Sequence, residues 1–402
     1  MMSLMKKILL CTLIIAIALT AGLLLRHPQP EVITLKPSSF DKLPGWQHTD
    51  VKKSLQAFQI SCKTFLRQNP ERSVGSTQIY MQVKDWQPAC RAAVAMSDST
   101  DKQAKAFFQR WFKPVEFYNH APVKGLFTGY YLPLLHGSLT KTDEYNVPIY
   151  GVPDNLININ LSDFNSDFGN RRIVGRVAGN KIVPFHTRAE INKGAIVEKA
   201  PVIVWVDSHI DRLFLEIQGS GIVKLPDGQT MYVGYAGENG AAYTPIARVL
   251  IDRGIMTRDT ASMQAIRAYL ESHPEEIEPV INQNKSFVFF RKLENTAALG
   301  AQGVPLTAGY SLAVDRKWIP LGTPLWLNTT RPNQHVQDTQ KPLQRLMIAQ
   351  DTGGAIRGTV RGDVFWGAGK NATYIAGNMK NEGHYWLLLP KHSIEHLPKT
   401  VG

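Results

Sequence analysis

The stretch that most constrains this 402-residue chain is the run Ala349-Gln350-Asp351-Thr352-Gly353-Gly354-Ala355-Ile356-Arg357-Gly358-Thr359-Val360-Arg361-Gly362-Asp363-Val364-Phe365-Trp366-Gly367. It is entered through the apolar segment Leu346-Met347-Ile348-Ala349, which reads as a buried strand. Gly353 and Gly354 then predict a sharp turn, because glycine takes positive φ at no steric cost. A second β-type segment follows over residues 360–366. Asp351 is therefore expected at the end of one strand and Asp363 within or beside the next. Two carboxylates on neighbouring strands can meet in one cleft. Upstream, Ser311-Leu312-Ala313-Val314-Asp315 has the same build: a short apolar strand ending in an aspartate, followed by the turn-forming Pro320-Leu321-Gly322-Thr323. Strand-end aspartates also satisfy turn amides and do no chemistry. The pattern alone leaves both readings open for Asp315, Asp351 and Asp363.

Composition narrows the alternatives. The length suits two domains, and 44% apolar residues suffice for sizeable cores. A net charge of +12 favours an anionic partner such as lipid headgroups or an acidic wall polymer. No compact Lys/Arg stripe interleaved with aromatics occurs, so nucleic acid is not expected. The 11 histidines are scattered, and neither His-Glu-x-x-His nor paired Cys-x-x-Cys is present, so no metal and no cofactor are expected. The glycines of 353–358 lack a surrounding βαβ unit, and Gly219-Ser220-Gly221 lacks the spacing of a nucleophile elbow. Asp351-Thr352-Gly353 occurs once and is followed by Gly354, whereas an aspartic protease needs two such carboxylates to share a proton.

Taken in order, residues 1–30 read as an export element, with Lys6-Lys7 preceding the uncharged run 8–25. That length favours a retained inner-membrane anchor over a cleaved signal. The basic flank places the body of the protein outside that membrane. Residues 27–45 carry Pro28, Pro30, Pro37 and Pro44 and read as an extended linker. A helical part is expected over 45–124. Leu55, Phe58, Cys62, Phe65 and Leu66 share one face; residues 85–96 form a second helix with Pro88 near its first turn; Ser99-Thr100-Asp101 caps a third, whose aromatics Phe107, Phe108, Trp111 and Phe112 read as core. Cys62 and Cys90 are the two body cysteines of a chain expected to be exported, and they are predicted to form a disulfide. Residues 125–284 read as mainly β, with 202–206 and 213–215 as strands and helices over 244–252 and 262–272. Strand pattern resumes at 284–292, and the last domain is expected over 285–390.

The three aspartates, with Pro320-Leu321-Gly322-Thr323 and Asp351-Thr352-Gly353-Gly354-Ala355-Ile356, resemble the three-aspartate double-psi β-barrel domain. Gly129-Tyr130-Tyr131-Leu132-Pro133, Phe214-Leu215-Glu216-Ile217-Gln218-Gly219-Ser220-Gly221 and Gly234-Tyr235-Ala236-Gly237-Glu238-Asn239-Gly240 resemble the domain inserted in the membrane-bound lytic murein transglycosylase A family. The matches run in the family's order from about 125 to about 390.

The resemblance implies a mainly β fold: a double-psi barrel with a second, inserted β-rich domain, preceded by helices. It implies cleavage of the β-1,4 bond between N-acetylmuramic acid and N-acetylglucosamine in peptidoglycan, leaving 1,6-anhydromuramic acid. Asp363 would be acid and then base, its pKa raised by burial and by the charges of Asp351 and Asp315. Thr128, Tyr130, Tyr131, Gln218, Ser220, Gly221 and Asn239 would contact the glycan. The implied partners are peptidoglycan strands, the membrane through the N-terminal segment, and other cell-wall enzymes, in a periplasmic setting. Two alternatives stand beside this reading: a two-carboxylate hydrolase using Asp351 and Asp363, and a non-catalytic glycan-binding barrel.

Overall fold

The computed structural model describes residues 33–394 apart from 170, 295–297, 334, 337 and 338, together with 400 and 401. The expected anchor over 1–30 lies outside the described residues. The chain opens with strand β1 (Ile33–Pro37) and helices α1 (Lys52–Phe65), α2 (Val83–Val94) and α3 (Asp101–Trp111). Strands β2 (Phe112–Asn119), β3 (Ala121–Pro122) and β4 (Gly125–Leu132) follow. The next block comprises β5 (Leu134–Ser138), β6 (Val147–Tyr150), β7 (Ile157–Asn160), β8 (Arg172–Ala178), β9 (Lys181–Pro184), α4 (Arg188–Asn192), β10 (Val202–Val206), α5 (His209–Gln218), β11 (Ser220–Lys224) and β12 (Thr230–Glu238). It closes with α6 (Ile246–Asp252), α7 (Met263–Ser272), α8 (Ile277–Ile281) and β13 (Val288–Lys292). The last block is β14 (Ser311–Val314), β15 (Pro324–Pro332), β16 (Gln340–Asp351), β17 (Arg361–Ala368), α9 (Lys370–Asn378), β18 (Lys380–Pro390), α10 (Lys391–Ile394) and β19 (Thr400–Val401).

The fold is mainly β. Strands β15-β16-β14-β17-β4-β18 are hydrogen-bonded in that order, and β18 pairs back onto β15, which closes a six-stranded ring. Closure removes the unpaired edges that an open sheet would expose. β2, β1 and β19 continue outward from β18, and β3 pairs with β2. The inserted domain has a six-stranded sheet in the order β13-β12-β11-β5-β10-β6 and a separate three-stranded sheet, β7-β8-β9.

Strand pairing moves both expected domain boundaries. β4, expected in the insert, is paired with β17 and β18 and so belongs to the ring. β13, expected in the barrel, is paired with β12 and belongs to the insert sheet. The insert therefore runs between the end of β4 and β14, and both strands that bracket it are next to β17 in the ring.

The three N-terminal helices share one core with the barrel. Leu55, Phe58, Cys62 and Phe65 of α1 are buried together with Phe107 and Phe108 of α3 and with Leu346, Met347 and Ile348 of β16. The expected aromatic face is core. α2 starts earlier than expected because Asp85 serves as its third residue, accepting a hydrogen bond from the amide of Gln82 at 2.7 Å. Pro88 consequently lies inside the helix and not near its first turn. Cys62 and Cys90 form the expected disulfide, with Cα atoms 4.9 Å apart.

Leu213, Phe214 and Leu215, expected as a strand, lie in α5. Ser208 caps this helix, its hydroxyl accepting from the amide of Asp211 at 3.1 Å. Ile210, Leu213 and Phe214 then bury one side at helical spacing. Three successive apolar residues cannot by themselves distinguish a strand from a buried helix. The positive-φ glycine of the 353–358 crossing is Gly358, at φ +123°, and not Gly353 or Gly354.

Candidate active site

The ring aligns the candidate residues in one row across four strands. Ala313 of β14 is paired with Asp351 of β16 on one side and with Asp363 of β17 on the other. Asp363 is in turn paired with Thr128 of β4. Side chains of laterally paired residues project from the same face of a sheet, as do positions i and i+2 along a strand. Tyr130 and Phe365, each two residues further on, therefore continue this face, and their rings lie 5.2 Å apart.

Hydrogen bonds lock the row together. The hydroxyl of Thr128 donates to Oδ1 of Asp363 at 2.7 Å. The hydroxyl of Tyr130 donates to Oδ2 of Asp351 at 2.7 Å. Oδ1 of Asp351 accepts from the amides of Ala301 and Thr352, each at 2.9 Å. Arg361, two residues before Asp363, donates to Oγ1 of Thr128 at 2.9 Å and to the carbonyls of Leu126 and Gly362 at 3.2 and 2.5 Å.

Burial raises both carboxyls, against different sets of hydrogen bonds. Burial pushes the carboxyl of Asp363 up to about 6, and the charge of Asp351 pushes the same way. The Thr128 hydrogen bond and the Arg361 guanidinium oppose this rise. Burial also raises Asp351, against the hydrogen bonds from Tyr130, Thr352 and Ala301. The hydroxyl of Tyr130 is driven well above its usual range, first by burial and then by Asp351, so it remains a donor. Asp363, at about 6, can carry a proton near neutral pH, while Asp351 accepts three hydrogen bonds, from Tyr130, Ala301 and Thr352.

Asp315 does not join the row. Its Oδ1 accepts from the amide of Lys317 at 3.0 Å and its Oδ2 from the amide of Gly358 at 2.9 Å. It pins the crossing between β16 and β17, and the like charge acting on Asp363 is that of Asp351. The turn-amide reading describes Asp315; the cleft reading describes Asp351 and Asp363.

The expected glycan contacts divide. Thr128 and Tyr130 are bound to the carboxylates. Tyr131 faces the other way, buried against Ala372 and Ala376 of α9. Its amide donates to Oε1 of Gln218 at 2.9 Å, and Nε2 of Gln218 donates to Sδ of Met263 at 3.4 Å. Gln218 thus joins the insert to the start of its own tether. Ser220 opens β11 and is half-buried. Gly221 is a packing position: a Cβ there would lie 2.5 Å from Cδ1 of Leu215. Asn239 is buried, with its amide group donating to the carbonyls of His186 and Lys285 at 2.8 and 2.9 Å and accepting from the amide of Phe287 at 2.9 Å. It braces the insert from inside and does not face the cleft.

Arg361 and Phe365 were not among the residues expected here. The period-2 alternation around Asp363 was the available signal, since i−2 and i+2 share its face. Among the described residues, no group of three or more His, Cys, Asp or Glu side chains is placed to hold a metal ion.

Two family descriptions match the chain: the MltA specific insert domain over residues 126–291 and the 3D domain over 310–389. The membrane-bound lytic murein transglycosylase A of Escherichia coli K12 is 35% identical over 264 residues, which span 65% of this chain and 65% of that protein. The chain thus matches slightly less than two thirds of that relative's length. A crystal structure of membrane-bound lytic murein transglycosylase from Agrobacterium tumefaciens is 32% identical, with a TM-score of 0.80, covering 91% of this chain and 100% of that one. The structure of E. coli MltA with bound chitohexaose is 27% identical, with a TM-score of 0.64, covering 90% and 95% of the two chains.

Proposed function

This chain belongs to the membrane-bound lytic murein transglycosylase A family, and we propose that it cleaves the β-1,4 bond between N-acetylmuramic acid and N-acetylglucosamine in peptidoglycan, forming a 1,6-anhydromuramyl end. A related protein of this fold binds chitohexaose, a β-1,4 amino-sugar chain. In the proposed mechanism Asp363 starts protonated and donates to the bridging oxygen as the C1–O bond breaks. The 6-hydroxyl of the same muramyl residue then closes on C1 and returns its proton to Asp363. Proton count and charge are restored, and no water is consumed. The attack is intramolecular and gains the effective molarity of a held nucleophile.

The observation that carries this reading is the unequal hydrogen bonding of the two carboxylates. A hydrolase needs the second carboxylate free to activate water or to attack the sugar. Asp351 has about four acceptor sites, and three are occupied, by Tyr130, Ala301 and Thr352. Asp363 is raised to about 6, which suits one group that gives and then takes a proton. Membrane attachment through residues 1–30 and a periplasmic location are part of the same proposal, as is association with other cell-wall enzymes.

Digestion of purified murein followed by mass analysis of the released muropeptides tests the reaction. Products ending in anhydromuramic acid are expected, about 18 mass units lighter than hydrolysed ones because one water is not added. Reducing ends in their place would establish hydrolysis and overturn the proposal. Binding of murein without turnover would support a glycan-binding barrel.

A further inference from the structure

We infer that Arg361 and Thr128 act as a positioning pair that fixes which oxygen of Asp363 carries the transferable proton. The inference rests on the acid–base role proposed for Asp363. A guanidinium has five N–H donors and no acceptor. Arg361 donates to Oγ1 of Thr128 at 2.9 Å, which takes one of the hydroxyl's two lone pairs and turns its hydrogen away from the guanidinium. The neighbour it points to is Oδ1 of Asp363, 2.7 Å away. The direction of the chain is therefore fixed: Arg361 to Thr128 to Asp363. Oδ1 is an acceptor in both protonation states of the carboxyl. The proton that moves must sit on Oδ2.

Without Arg361 the Thr128 hydroxyl could rotate and accept from a protonated Oδ1, which would place the proton on the wrong oxygen. Arg361 is itself held by the carbonyls of Leu126 and Gly362, one on each of the strands that carry Thr128 and Asp363. The pair thus spans the β4–β17 seam and orients the acid from its rear. The charged and titratable groups facing Asp363 are Arg361 on its own strand, Tyr130 on β4 and Asp351 on β16; its β14 neighbour, Ala313, is apolar. Arg361 and the Thr128 hydroxyl both stabilise the ionised carboxylate, while Asp351 disfavours it.

The test is Thr128→Val, which keeps the branched shape in a strand and removes the hydroxyl, beside Thr128→Ser, which restores it. The pH dependence of kcat/KM on purified murein is the readout, together with the anhydro content of the products. Activity needs Asp363 protonated, so the wild-type rate falls as pH rises through the pKa of this group. Thr128→Val removes an interaction that favours the ionised form, so its falling limb moves to higher pH while its plateau drops on the order of tenfold to a hundredfold. Thr128→Ser stays within about threefold of wild type, with the limb in place. Arg361→Met moves the limb in the same direction, and the double variant loses no more than the worse single one, as members of one unit do. A plateau loss in Thr128→Val with an unmoved limb, or wild-type behaviour in that variant, overturns the inference. If wild-type protein yields reducing ends, the proposed reaction itself fails, independently of what the variants do.

Discussion

At Asp363, the proposed acid–base role and stability make opposite demands. Its folded-state pKa of about 6 lies above the ordinary carboxyl value of 3.8, so the folded chain binds more protons between these values and stability falls as pH rises through them. The penalty is absent below about pH 4 and complete above the folded pKa. Asp363→Asn keeps the shape and removes the charge. It is expected to abolish murein turnover, with a loss of at least about 10²–10⁴ in rate, while murein binding persists. The same variant is expected to be more stable than wild type at pH 8 by about 1–2 kcal/mol, a value discounted for a carboxyl that keeps some exposure, and equal to it near pH 3.5. Denaturant titrations at the two pH values check this; equal stability at both would mean the group is not desolvated. Asp351→Asn should lower the rate less, because it leaves the proton carrier in place. Asp351 and Asp363 were legible in the sequence because each ends or enters an apolar β run beside glycines. The role of Thr128 was not, because its partner is 235 positions away and only the β4–β17 register joins them.

At the scale of elements, α1 is the brace of the strand that presents Asp351. Gln350, fully buried, donates through Nε2 to the carbonyl of Ala57 and to Oγ of Ser61, both at 3.0 Å. Its Oε1 accepts from Ser311 of β14 at 2.5 Å. One side chain therefore ties α1, β14 and β16 together next to the site. The Cys62–Cys90 bridge joins α1 to α2 with a sequence separation of 28. Closing a loop of that size limits the unfolded chain and stabilises by on the order of 3 kcal/mol. Cys62→Ala with Cys90→Ala is expected to lower the unfolding free energy by about that amount, read from denaturant titration, with little change in kcat at low temperature. An unchanged midpoint would show that the bridge does nothing for stability. The three N-terminal helices were legible because capping residues such as Thr100 and the apolar spacing of α1 are local signals, whereas α5 was read as a strand. The membership of β4 and β13 was not, since a strand's partner is set by pairing across the chain and not by its own residues.

At the scale of the whole molecule, the proposed role of residues 1–30 as a membrane anchor has a direct test. If they are a retained anchor, the mature protein fractionates with membranes and its N-terminal sequence begins at or near Met1. A mature start near Leu19 or Gly22 would show a removed signal instead. The arrangement of the ring has a further consequence, in time. Thr128 and Tyr130 lie on β4, ahead of the insert, whereas Asp351 and Asp363 lie beyond it, on β16 and β17. The ring closes only through β18, which bonds both β4 and β15. A chain is made from its N-terminus, and its domains generally fold as units. The insert sheet, β5 to β13, is complete more than 80 residues before β18 ends at Pro390. A nascent chain thus holds a finished insert and half of the proposed catalytic row, which is assembled only when almost its last strand is in place.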